Sequence, residues 1–372
     1  MIYADNAATT RLAPEALDAM MPYLQDKYGN ASQPYSFSRT AKKALKQARE
    51  TIAACINAEP EEIYFTSGGT ESDNWAIKGT MFVYGDQRAL VTSQIEHHAI
   101  LNSAAAVERM GYPVAYLPVD STGTILPEVL SSFITEQTKL VSVMFSNNEV
   151  GTIEPIKELA KIAHKNGALF HTDAVQAVGH VGINVKALDI DLLSASAHKF
   201  NGPKGIGFLY IKSGTQLNPF NDGGAQEFGQ RAGTENVAAI VGMAEALKKN
   251  CAEIAQNSAY LYELEQALIS KLRAANLDFI RNGAQDHIPG NISLSFRNSS
   301  GEMLLHRLDL KGICVSTGSA CDSKNTQISH VLQAMNVPKD YAEGTIRISL
   351  SKQNTLEEIN TIATALTNIL SS

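Results

Sequence analysis

From about residue 60 to residue 212 the chain alternates short apolar runs with stretches of helical periodicity. No other feature limits its possible folds as much. The apolar runs are 63–66, 89–93, 140–145, 168–172, 192–195 and 207–211. Several are apolar throughout, as strands covered on both faces should be. Helical candidates between them include 71–84, 99–110 and 156–166. This alternation predicts a mainly parallel sheet with helices on both sides. In such sheets a ligand sits beyond the carboxyl ends of the strands, so chemistry is sought in the loops that follow them.

Residues 236–276 read as long helices rich in Ala, Leu and Glu, forming a bridge to a smaller α+β lobe. That lobe has strand candidates at 291–296, 313–315 and 345–350 and helices near 302–310 and 328–335. A final helix begins at Thr355, where Glu358 completes a capping box, and Ile359, Ile362, Leu366 and Ile369 mark its buried face. The expected division is a large domain over 15–255 and a small domain made of 1–14 and 256–372.

With 372 residues, 44% of them hydrophobic, the chain can bury a core large enough for two lobes. The 31 basic residues against 38 acidic ones give a net charge of -7, which argues against nucleic-acid binding. The opening Met1-Ile2-Tyr3-Ala4-Asp5 lacks the features of a signal peptide, and the longest apolar run, 237–247, is short and contains Glu245. The expectation is a cytoplasmic protein without a membrane partner. Cys55, Cys251, Cys314 and Cys321 form no CxxC pair, so free thiols are expected and no metal site.

Four clusters carry candidate chemistry. Thr66-Ser67-Gly68-Gly69-Thr70-Glu71 joins a strand end to a helix start. Its amides and helix dipole suit a phosphate, with the Thr70 hydroxyl as a further donor; an ordinary capped turn has the same composition. His171-Thr172-Asp173-Ala174-Val175-Gln176 places a carboxylate at a strand end, where it either pairs with a protonated ring nitrogen or caps a helix. In Ser194-Ala195-Ser196-Ala197-His198-Lys199 a lysine follows a buried strand among small and hydroxyl residues. Partial burial there favours the neutral amine that attacks a carbonyl, and Ser196 and His198 can donate to a phosphate. The alternative is a surface lysine in a turn. Lastly, Cys321 sits in the small, polar stretch Ser316-Thr317-Gly318-Ser319-Ala320-Cys321-Asp322, a setting for a reactive thiol rather than a packed one.

Five single residues are ambiguous on their own. His97 can stack on a flat ligand or be a buried, satisfied histidine. Asn148 and Asn30 can bind ligand or form turns. Arg347, alternating with apolar neighbours, is a carboxylate clamp or faces solvent. Thr234 is a ligand or an N-cap.

Together these segments, from Tyr3-Ala4-Asp5-Asn6-Ala7-Ala8-Thr9-Thr10 to the strand holding Arg347, resemble the cysteine desulfurases of the NifS/IscS type. Those enzymes belong to class V of the fold-type I enzymes dependent on pyridoxal 5'-phosphate (PLP). The resemblance implies a large domain with a mainly parallel, seven-stranded-type sheet flanked by helices, and a smaller α+β domain. It also implies that Lys199 carries PLP as a Schiff base and moves protons, while Asp173 keeps the ring nitrogen protonated and His97 stacks on the ring. Gln176 and Asn148 would hold the ring and its surroundings, and Gly69, Thr70, Ser196 and His198 would cup the phosphate. Thr234 would reach the phosphate of a neighbouring subunit in a homodimer. Arg347, with Asn30 beside it and Asn148 near, would bind the substrate carboxylate. Cys321 would take the sulfur of L-cysteine as a persulfide, release L-alanine and pass sulfur to a protein acceptor, in iron–sulfur cluster assembly, thiolation or related traffic.

The chain departs from the family pattern at Tyr35 and Ser38, at Ala225 and Phe228, and at Asp322. It also ends one helix after Arg347, without the tail with which housekeeping members dock an iron–sulfur scaffold. Selenocysteine lyase is the nearest alternative, followed by a class V aminotransferase or kynureninase-like enzyme. A non-catalytic PLP-binding partner protein is a third alternative.

Overall fold

Consecutive residues of the buried strands point to opposite faces of one sheet, and each face meets its own helices. The computed structural model describes residues 1–83, 87–317 and 328–371. Tyr84, at the end of one predicted helix, and the predicted Cys321 and Asp322 lie outside the described residues. In chain order the strands are β1 (Ile2–Tyr3), β2 (Ile63–Thr66), β3 (Ala89–Ser93), β4 (Val114–Leu117), β5 (Thr138–Ser142) and β6 (Leu169–Asp173). They continue with β7 (Leu192–Ser196), β8 (Gly207–Ile211), β9 (Phe279–Asn282), β10 (Asn291–Phe296), β11 (Ile313–Cys314) and β12 (Thr345–Ser349).

Seven strands form the main sheet in the order β2-β8-β7-β6-β5-β3-β4. All its pairings are parallel except the two made by β8, which runs antiparallel to β2 and β7. Leu90, Leu140, Leu192 and Leu209 turn to one face, where Trp75, Ile77, Ile100 and Val107 of helices Gly69–Met81 and His98–Arg109 bury them. Val91, Val141, Leu193, Phe208 and Tyr210 turn to the other face, against helices Arg39–Ile56 and Ile156–Lys165 and the first part of a long helix. The sheet is the mainly parallel, helix-covered one that the alternation predicts.

That long helix, Val237–Ala274, is continuous over 38 residues where the sequence suggests several helices. Its early residues Ile240, Met243 and Leu247 join the main core. Its later residues Leu261, Leu264, Leu268 and Leu272 join a second core. The second core is built on the antiparallel sheet β12-β10-β9 with helices Gly301–Asp309 and Leu356–Leu370. The Thr355–Glu358 capping box opens the last helix, with both of its hydrogen bonds formed. β1 pairs with β11, and Ala4 belongs to the second core. Among the described residues no helix is long and apolar enough to cross a membrane.

Candidate active site

Loops at the carboxyl ends of β6 and β7, and the loop after β2, enclose a cavity of about 560 Å³. Of the residues singled out in the sequence, it gathers Gly69, Thr70, His97, Asn148, Asp173, Gln176, Ser196, His198 and Lys199 in its wall.

One end is the start of helix Gly69–Met81, whose first amides have no carbonyl one turn behind them. Gly68, at φ 149°, makes the entry turn, and a Cβ on it would lie 3.5 Å from Ser196 Oγ. The turn is therefore seated against the end of β7. Gly207 of β8 closes the approach from below: a Cβ there would come within 2.8 Å of Gly68 Cα and 2.4 Å of Ala195 O.

The middle of the cavity is acidic. Asp173 accepts from the Val175 amide at 2.9 Å, and burial raises its pKa despite opposing contributions from His97 and Lys199. Donor atoms of Asp73, His97 and Asp173 all lie within 4.8 Å of one another. Among the described residues Asp73 Oδ1 is buried without a hydrogen-bond partner, and burial, reinforced by Asp173, pushes its pKa well up. His97 Nδ1 accepts from the Ala99 amide at 3.1 Å, so the proton of the neutral ring sits on Nε2. Burial lowers the His97 pKa and keeps that neutral form.

Lys199 reaches in from the turn after β7. Its Nζ donates to Ala7 O at 2.6 Å and Ala8 O at 2.9 Å. Gln176 Nε2 donates to the same Ala7 O at 3.0 Å. His198, with Nδ1 3.1 Å from Thr9 Oγ1, has a pKa lowered to about 4 by burial and by the charges of Lys199 and Lys204.

The remaining predicted residues stand elsewhere. Arg347 is buried on β12, outside the cavity lining, but its Nη1 donates to Asn148 O at 2.8 Å and so touches the wall. Thr234 is exposed in a surface depression lined also by Gly223, Gly224 and Gly233. Asn30 makes a turn, its Oδ1 accepting from the Ser32 amide at 2.9 Å. Among lining residues the sequence reading passed over are Ala8, Thr9, Asp73, Met144, Ser146 and Lys204. The N-terminal segment among these carried a signal, since it is part of the motif at 3–10; Asp73 carried none beyond an acid in the first turns of a helix.

The residues match PLP in kind: a primary amine on one wall, a buried carboxylate between, and a helix start with hydroxyl donors at one end. Asp73, whose buried Oδ1 has no hydrogen-bond partner among the described residues, lines the same cavity, so its wall holds polar capacity not used within the chain.

Residues 2–362 match the aminotransferase class-V family. The chain is 46% identical to the cysteine desulfurase IscS of Methanosarcina thermophila, over 99% of this chain and 92% of that one. Among solved structures it superposes on a NifS-like protein with a TM-score of 0.94 and 38% identity, covering 100% of this chain and 99% of the other. It is similar also to SspA in complex with cysteine, at a TM-score of 0.84 and 33% identity over 95% of this chain and 100% of that one. With likeness in sequence and fold running nearly end to end, this chain belongs to the aminotransferase class-V family, on the branch that holds the cysteine desulfurases.

Proposed function

We propose that the protein is a PLP-dependent cysteine desulfurase that converts L-cysteine to L-alanine and passes the sulfur to a protein acceptor. The observation that carries this reading is the meeting of Lys199, Asp173 and the Gly69 helix start in one cavity. The cysteine bound by the related SspA supports the substrate. When bound, PLP supplies an electron sink that weakens the bonds at the substrate's α and β carbons.

The chain's own residues divide the remaining work. Thr70, Ser196, His198 and the free amides of the helix start hold the phosphate, and Asp173 holds the proton on the ring nitrogen. His97 presents a flat, neutral ring whose Nε2 hydrogen is available to a reacting atom. Lys199 would be the attachment point for PLP, and its amine, in the cavity wall, is the group to move protons at the substrate carbons. Arg347 and Asn148 receive the substrate carboxylate, and Asn30 stands in the N-terminal region as a further candidate. Cys321 is the thiol that takes the sulfur. The Cβ–S bond of cysteine breaks, Cβ takes a proton, and the sulfur leaves bonded to Cys321 as a persulfide. Thr234 would complete the phosphate site of a second copy in a homodimer, and the compartment consistent with this chemistry is the cytoplasm.

The test is to give L-cysteine to the PLP-loaded protein and assay L-alanine, mapping persulfide by mass. Alanine should accumulate once a reductant clears the persulfide, the added 32 Da should map to Cys321, and Lys199→Ala should abolish turnover. Persulfide on another cysteine, or no alanine at all, would defeat the proposal.

A further inference from the structure

Residues 4–10 form a strap between the group proposed to bind the substrate carboxylate and the lysine proposed to do the chemistry. At one end Asp5 Oδ1 accepts from Arg347 Nη2 at 2.8 Å. The strap is fastened to β12 on both sides of that pair. Ser349 N donates to Ala4 O at 2.8 Å, Asn6 N donates to Ser349 O at 3.1 Å, and the Ala7 amide donates to Ser349 Oγ at 2.9 Å. Two and three residues beyond Asp5, the strap carbonyls of Ala7 and Ala8 accept from Lys199 Nζ. Asp5 is thus held in place by its own backbone.

A guanidinium carries five N–H groups in one rigid plane. Asp5 takes one from Nη2 and Asn148 O takes one from Nη1. Nε is buried with no partner among the described residues, and each Nη keeps a second N–H beyond the one it gives to Asp5 or Asn148. Two acceptors on different elements fix the plane, and fixing the plane decides which donors an incoming carboxylate can use. Asp5 also neutralises a buried cation, which would otherwise be costly to keep. Orientation, rather than net positive charge, is therefore what the arginine offers a substrate.

Resting on the reading of Arg347 as the carboxylate site, we propose that Asp5 is a positioning residue that sets the plane of Arg347 and thereby selects substrates bearing an α-carboxylate. In the PLP-loaded protein, Asp5→Ala should raise KM for L-cysteine about tenfold while kcat stays within about threefold. Asp5→Asn keeps an acceptor at Oδ1 and should restore KM to within about threefold of the parent. Two readouts stand apart from turnover. Titrated by the absorbance of bound PLP, L-alanine should bind Asp5→Ala about tenfold more weakly, whereas ethylamine, lacking a carboxylate, should bind unchanged. In the cofactor-free protein, hydrogen exchange at the Ala7 and Ser349 amides should be unchanged in Asp5→Ala. An unaltered KM and alanine affinity would overturn the proposal, as would equal losses for alanine and ethylamine, or faster exchange of the strap amides with no rescue by Asp5→Asn. If the parent protein makes no alanine from cysteine, the desulfurase reading fails, yet the alanine and ethylamine titrations still decide the role of Asp5.

Discussion

Glu96, immediately before His97, accepts at Oε1 from Ser93 Oγ at 2.6 Å and from the Met144 amide at 3.0 Å, while its Oε2 is buried without a partner among the described residues. Burial raises its pKa to about 8, outweighing both hydrogen bonds, and the nearby Asp173 adds to the rise. Between the ordinary carboxyl value near 4.3 and about 8, the folded protein holds a proton that the unfolded chain has released. This contribution to stability therefore falls as pH rises through that window, at up to about 1.4 kcal/mol per pH unit. Glu96→Gln keeps the acceptor at Oε1 and cannot ionise. Its melting temperature should accordingly fall less than the parent's between pH 5 and pH 8, and parallel curves would reject the buried proton. The cavity's most telling residues were legible because they follow strands: Lys199 after β7, Asp173 at the end of β6, Gly69 and Thr70 after β2. Asp73 was not legible, because an acid in the first turns of a helix usually faces solvent and only tertiary packing turns this one inward.

Elements followed from pattern where packing and pattern agree. β2, β3 and β8 occupy the predicted runs because each is short, apolar and bounded by polar turns. β5 begins at Thr138 and ends at Ser142, earlier than its apolar run; the Val143 and Phe145 amides still donate to His171 O and Asp173 O of β6, and the chain turns back beyond them, with Phe145 O accepting from the Glu154 amide. β4 and β9 were passed over: both are edge strands, so half-exposed residues dilute their apolar signal. The junction of β8 with the Gly68 turn is a tight packing beside the site, bounded by backbone on both sides. Because backbone atoms bound both contacts of Gly207, Gly207→Ala must push β8 from β7 or the turn from the cavity. We expect a loss of about 1–3 kcal/mol in denaturant unfolding, the range of overpacking, together with weaker PLP binding. Unchanged stability and PLP affinity would contradict the contact.

At the scale of the whole molecule, the helix Val237–Ala274 is an axle of about 57 Å, at 1.5 Å per residue, shared by two cores. The proposed boundary at residue 255 falls on it between Leu247, packed in the first core, and Leu261, packed in the second. Ala255 is exposed there, so a substitution acts on the helix rather than on packing. Ala255→Pro removes one hydrogen bond and costs about 3 kcal/mol in a helix interior. Trp75, the single tryptophan, is buried on the main sheet and reports that lobe alone. Its fluorescence and the far-ultraviolet dichroism should separate into two transitions in Ala255→Pro; coincident transitions would argue for one indivisible unit.

The strap at residues 4–10 bears also on the order in which the molecule can be made. Ile2 pairs with Ile313 and Ala7 bonds to Ser349, partners that leave the ribosome hundreds of residues later. Contacts of such span form late, after the loop between them has closed. The main sheet can assemble during synthesis and already offers the strap Gln176 and His198 as partners, but the ties from residues 4–7 to Ser349 and Arg347 form only when β12 has been translated. A nascent chain stalled before that strand would carry a strap pinned at one end by the main domain and loose at the other, with Asp5 still without its arginine.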